Sequence, residues 1–120
     1  MTEQKIHKDI VEYLNAVLTS ETMLWFTKNE TGVGGVKGAI TGKRNREMGI
    51  LPGFPDLSLS PRSKPVPHGL EVKTPKGRQT PAQKAIQADF EARGWPYCIV
   101  RSVDDVTQAL HDWGVPTRGR

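Results

Sequence analysis

Residues 68–77, HGLEVKTPKG, place a glutamate and a lysine, Glu71 and Lys73, inside a short apolar run that reads as a buried strand. Successive strand residues face opposite sides of a sheet, so Glu71 and Lys73 share one face and Leu70 and Val72 the other. Charges in such a strand need partners. Upstream, PDLSLS at 55–60 alternates Leu57 and Leu59 against Asp56 and Ser58, as a half-buried strand does. Fourteen residues lie between Asp56 and Glu71, room for two short antiparallel strands and the turn PRSKPVP. With the apolar faces of these strands together, Asp56 joins Glu71 and Lys73 at one end of the sheet.

Two neighbouring carboxylates raise each other's pKa, and a divalent cation between them removes that cost. Hard cations such as Mg²⁺ choose oxygen ligands and keep several waters, one of which can become a nucleophile. A lysine alongside can orient that water or offset charge growing on a phosphate. Taken alone, E-x-K is a common tripeptide that a salt bridge on a solvated face explains. The preceding GFPDL shifts the balance, because Gly53 and Pro55 constrain the backbone just before the acid.

Working outward, Ile6, Ile10, Leu14, Val17 and Leu18 form the one-sided stripe of an amphipathic helix from Glu3 to about Ser20. MLWFTK, 23–28, reads as a strand with Trp25 and Phe26 in the core, and 29–53 as a long glycine-containing loop. Thr80-Pro81-Ala82-Gln83 opens a helix with a capping box, Ile86 and Phe90 make its stripe, and Gly94 ends it. PYCIVR is a further strand, and a last helix runs from the Ser102 cap through Val106, Leu110 and Trp113 to Gly114. Trp95 and Trp113 fit packing or an interface equally. The expected order is αβββαβα, an α/β mixed sheet flanked by helices. We expect one domain over 1–120, with a core of about 3–113 and a loose tail at 114–120.

The chain carries 17 Lys+Arg against 13 Asp+Glu, a formal charge of +4, which leans toward polyanionic partners without deciding the matter. No apolar run approaches the roughly 20 residues that cross a bilayer, so no membrane partner and a cytoplasmic location are expected. Cys98, the single cysteine, sits in YCIV as a small core residue. Phosphate-binding P-loops, zinc-ligand spacings and G-x-S-x-G elbows are absent from the sequence.

PD, a turn, then EVK resembles the signature of the PD-(D/E)XK nuclease superfamily, and GFPDLSLS…GLEVKTPKGRQTPAQ…GWPYCIVRSVDD is similar to its VRR-NUC branch from Gly53 to Asp105, with IHKDIVEYL a looser match. The resemblance implies a restriction-endonuclease-like core, Mg²⁺ or Mn²⁺ dependence and hydrolysis of DNA, especially branched, flapped or junction DNA. It makes Asp56 and Glu71 metal carboxylates, Lys73 the catalytic lysine and the Val72 carbonyl a further ligand. Gln83 matches a glutamine recurrent at the start of the next helix, a role compatible with the capping box. Relatives often add an acid from the first helix; Glu3 is favoured over Glu12, because Glu3 continues the Ile6–Ile10 stripe and Glu12 lies roughly 200° around from Ile10. His7 reads as a partly exposed structural residue.

The basic loop offers Lys37, Lys43, Arg44 and Arg46 for phosphate contact, and Lys76 and Arg78 follow the EVK strand. Its bland reading is a solvated loop. A homodimer would suit a four-way junction, and a small free-standing nuclease suits a virus. The rival reading is a non-catalytic nucleic-acid-binding module with a decayed site, against which Asp56, Glu71 and Lys73 all speak by being present.

Overall fold

The computed structural model describes residues 2–27 and 51–118. Among them the elements run α1 (Glu3–Val17), β1 (Thr22–Phe26), β2 (Leu57–Pro61), β3 (His68–Val72), α2 (Pro81–Arg93), β4 (Tyr97–Val100) and α3 (Val103–Trp113), the order expected. The strands form one mixed sheet in the order β1-β2-β3-β4. β1, β2 and β3 are antiparallel neighbours, and β3 runs parallel to β4. Parallel neighbours need a crossover, and α2 supplies it.

The register Leu57↔Leu70 and Leu59↔His68, continued by Leu70↔Cys98 and Val72↔Val100, lines up one apolar face. Ile6, Ile10, Leu14 and Val17 of α1 and Val106, Ala109 and Leu110 of α3 close over it. Each such aliphatic side chain contributes roughly 1.5–3 kcal/mol by leaving water, so this layer carries most of the stability. His68 shares the face, its ring edge-on to Trp113 at 5.3 Å and Nδ1 2.7 Å from the Val66 carbonyl. Burial pushes its pKa down, consistent with a neutral core histidine.

On the opposite face α2 lays down Ile86 and Phe90. Gly69 makes this possible: a Cβ there would fall 2.6 Å from Pro55 Cγ and 3.1 Å from Phe90 Cε2, so both rings rest on bare strand backbone. Phe90 also meets Phe54, Trp95 and Tyr97 edge-on, with centroids 5.3–5.6 Å apart. Arg93 stacks over Trp95, 5.1 Å from its centroid. The segment leading into Asp56 is thereby clamped between the sheet and α2. β3, covered on both sides, is buried at every position.

Three details depart from the sequence expectation. α1 stops at Val17, and Leu18 turns extended to bridge Thr117. The tail is tied down as far as Arg118, whose backbone N–H donates to the Val17 carbonyl at 2.7 Å and whose Nε donates to the Leu18 carbonyl at 3.2 Å. Helix C-termini leave carbonyls without donors, and α1 has no basic residue in its own last turn to meet them, so Arg118 does. Phe26 is 52% exposed, and Trp25 only half-buried, because β1 lies at the sheet edge. No helix among the described residues is long and apolar enough to cross a membrane.

Gly53 holds the approach to the site. Its φ is +82°, and a Cβ would sit 2.6 Å from the Ala82 carbonyl carbon and 2.9 Å from the Gln83 nitrogen. Both a left-handed backbone and contact with a helix backbone exclude a side chain. Gly53→Ala is expected to lower stability by about 1–3 kcal/mol in urea unfolding; an unchanged midpoint would show that the loop and α2 are not in contact.

Candidate active site

Asp56 stands immediately before β2, one step beyond the Leu57↔Leu70 pair, which sets it against Glu71. The Thr27 N–H donates to the Asp56 carbonyl at 3.1 Å and the Thr27 hydroxyl to the Pro55 carbonyl at 2.6 Å, which pins the turn to the end of β1. The Asp56 side chain reaches across to β3, where Oδ2 accepts the Val72 N–H at 2.9 Å.

Glu71 is 1% exposed. Gln83 Nε2 donates to its Oε2 at 2.6 Å, the Tyr97 hydroxyl donates to Oε1 at 3.4 Å, and Lys73 Nζ is 3.8 Å from Oε2. Lys73 is itself 8% exposed, with its backbone N–H on the Val100 carbonyl at 3.0 Å. Gln83 serves two functions at once. Its Oε1 accepts the Thr80 N–H at 2.8 Å, completing the capping box of α2, and this turns its amide nitrogen toward Glu71.

Loss of hydration pushes the Glu71 pKa up to about 8, with the Asp56 charge adding to the rise and Glu3 contributing; Lys73 and the Tyr97 hydroxyl oppose it. Burial also raises the Asp56 carboxyl, against the Val72 hydrogen bond and the charges of His7 and Lys73. Burial thus outweighs the positive charge that Lys73 and His7 bring to the two carboxyls. Hydrogen-bond donors already aim at the two Glu71 oxygens, an arrangement that suits a carboxylate, and a cation would supply what burial withholds. The donor set is all oxygen, which matches a hard divalent ion rather than zinc or copper. By this test Asp56 and Glu71 fit Mg²⁺ or Mn²⁺.

Among the described residues no three His, Cys, Asp or Glu side chains form a ready-made metal cluster. Glu3 lies in the first turn of α1 and is exposed, the buried residues of the helix beginning at Ile6. Its charge still reaches Glu71. Glu12 is exposed, and His7 is half-buried with its ring edge-on to Phe26. Lys76 and Arg78 are exposed on the segment after β3. Lys37, Lys43, Arg44 and Arg46 lie outside the described residues.

Two contributors escape a reading by motif. Tyr97 enters β4 on the face of Glu71, yet YCIV reads simply as an apolar run. Arg101 follows β4, and its Nη1 lies 2.5 Å from the Thr74 carbonyl, 2.9 Å from Gly77 and 3.3 Å from Pro75. It binds the turn that leaves Lys73 and leads to Lys76 and Arg78. Only the parallel β3–β4 pairing brings these groups together. The signal available in the sequence was an arginine placed just where the apolar run YCIV ends.

No known family model matches the chain, and comparison with curated proteins finds no match. Among solved structures, one described as a VRR_NUC domain protein is similar with a TM-score of 0.68 at 15% identity, over 97% of this chain and 91% of its own. The likeness is one of fold: this chain shares the α/β architecture of that protein.

The raised Glu71 pKa has a definite sign in stability. Between the ordinary value of 4.5 and about 8, the unfolded chain releases a proton that the folded chain keeps. In metal-free buffer stability therefore falls across that window as pH rises, by up to a few kcal/mol. Thermal unfolding of Glu71→Gln should show a shallower pH slope than wild type, and parallel profiles would contradict the burial argument. Arg101→Ala is expected to speed amide hydrogen exchange at 74–78 several-fold while leaving α1 protected; unchanged exchange there would remove the clamp.

Proposed function

We propose that this protein is a divalent-metal-dependent endonuclease that hydrolyses DNA phosphodiester bonds. The observation that carries this reading is the meeting of Asp56, Glu71, Lys73 and Gln83 at one end of the β2–β3 pair. The fold likeness to a VRR_NUC domain protein supports it independently.

Asp56 and Glu71, with the Val72 carbonyl, would hold Mg²⁺ or Mn²⁺, which when bound polarises a phosphoryl oxygen and makes a coordinated water more acidic. The chain's own residues do the rest. Gln83 would fix the Glu71 carboxylate through Oε2, and the Val72 N–H would fix that of Asp56 through Oδ2. Lys73 offers an ammonium with three donors and no acceptor, suited to orienting the attacking water and to meeting charge that develops on the phosphate. The water oxygen attacks phosphorus and releases a proton to solvent, the opposite P–O ester bond breaks, and the departing oxygen takes up a proton from solvent.

Lys76 and Arg78, beside the site, would contact flanking phosphates, joined by Lys37, Lys43, Arg44 and Arg46. Contacts of this kind follow the backbone and not the bases, which favours selection by DNA structure: junctions, flaps or branches. A homodimer would give a junction two cutting sites. Glu3, on the rim, adds negative charge that strengthens cation binding.

The test is a cleavage panel of junction, flap, splayed-arm and plain duplex DNA with Mg²⁺, Mn²⁺ or EDTA. Wild type should cut in either metal and not in EDTA, and Lys73→Ala and Asp56→Asn should each lose at least ~10²-fold in rate while still binding DNA. Equal cutting by wild type and Lys73→Ala would refute the assignment, and DNA retention with no cutting in any metal would favour a binding module.

A further inference from the structure

The glutamines of α2 and the loop before it form a hydrogen-bonded line ending at Glu71. Gln87 Nε2 donates to Glu91 Oε2 at 3.1 Å, Gln79 Nε2 donates to Gln87 Oε1 at 2.9 Å, and the same Gln79 nitrogen donates to the Tyr97 hydroxyl oxygen at 3.1 Å. The Tyr97 hydroxyl then donates to Glu71 Oε1 at 3.4 Å.

The direction of every bond follows from what each group can do. A carboxylate such as Glu91 only accepts, so Gln87 must turn its NH₂ toward it and its carbonyl toward Gln79. That carbonyl also only accepts, so Gln79 must present its NH₂, whose second hydrogen reaches the Tyr97 oxygen. With the oxygen occupied as acceptor, the single hydroxyl hydrogen of Tyr97 is left for Glu71. Gln83 is oriented by the same logic from the other side, since its carbonyl takes the Thr80 N–H.

We infer that Tyr97 is a positioning residue for Glu71, that its hydroxyl is aimed by the Gln79–Gln87–Glu91 line, and that the pair Tyr97 and Gln83 holds the carboxylate in the orientation that binds a divalent ion. The inference deepens the metal-dependent reading above and rests on it. Neither residue touches the DNA or the reacting phosphate in this role. Each acts through Glu71, one on each carboxylate oxygen. Exposed Glu91 thus influences a buried site by setting which end of each amide faces inward.

Calorimetric titration of the metal-free chain with Mn²⁺, without DNA, tests this directly. Tyr97→Phe keeps the ring packed on Phe90 and removes only the hydroxyl; it should weaken Mn²⁺ binding about tenfold with little change in Tm. Gln79→Leu, which leaves the hydroxyl free to rotate, should weaken it several-fold. In cleavage assays both variants should need more metal for half-maximal rate and show an unchanged KM for DNA. A rise in DNA KM with wild-type metal affinity would overturn the inference, as would wild-type Mn²⁺ affinity in Tyr97→Phe. Wild-type protein that takes up no Mn²⁺ would sink the nuclease reading and this inference with it; uptake that Tyr97→Phe leaves unchanged sinks this inference alone.

Discussion

A carboxylate withdrawn from water at the end of the central strand governs the surrounding structure. An ionised carboxyl loses several kcal/mol of hydration on burial, and only fixed donors or a cation can offset that. At Glu71 the donors are Gln83 and Tyr97, while Lys73 stands at 3.8 Å, close enough to moderate the charge and too far for a tight ion pair. Asp56 adds a second negative charge beside it. Burial outweighs the one neighbouring ammonium, so both carboxyl pKa values stand above their ordinary values.

The two faces of the sheet divide the work. The face under α1 and α3 is aliphatic and supplies the hydrophobic stabilisation, whereas the face under α2 combines aromatic rings with the polar site. Joining the two layers depends on two residues without side chains. Gly69 lets Pro55 and Phe90 approach the sheet, and Gly53 lets the segment before Asp56 lie on the first turn of α2. That turn carries Gln83, so the helix that closes the second layer also delivers a donor to Glu71. Packing and site assembly share the same contacts, and a change that loosens α2 would be felt at the carboxylate before it was felt in the aliphatic layer.

Much of this was legible locally. Alternation in PDLSLS and GLEVK assigned faces to Leu57, Leu59, Leu70 and Val72, and with them to Asp56, Glu71 and Lys73, because strand side chains cannot do otherwise. The Thr80–Gln83 capping box and the stripes of α1 and α3 were equally readable, since both depend on spacings of three or four residues. Glu3 continues the stripe of α1 by spacing and is nonetheless exposed, because helical period says which way a residue points and not whether anything packs over the first turn. The tail was misread as loose because the carbonyls it satisfies, at Val17 and Leu18, lie about a hundred residues away.

Sequence alone determined which residue types share a strand face and where helices begin, since those follow from backbone geometry over a few positions. Only the tertiary structure decided that Tyr97 and Gln83 flank Glu71 from two different elements, that Arg101 closes over the turn after Lys73, and that Arg118 ties the tail to α1. These contacts bridge residues far apart in the chain, and their partners are selected by the parallel β3–β4 crossover and by which buried oxygens would otherwise lack a donor.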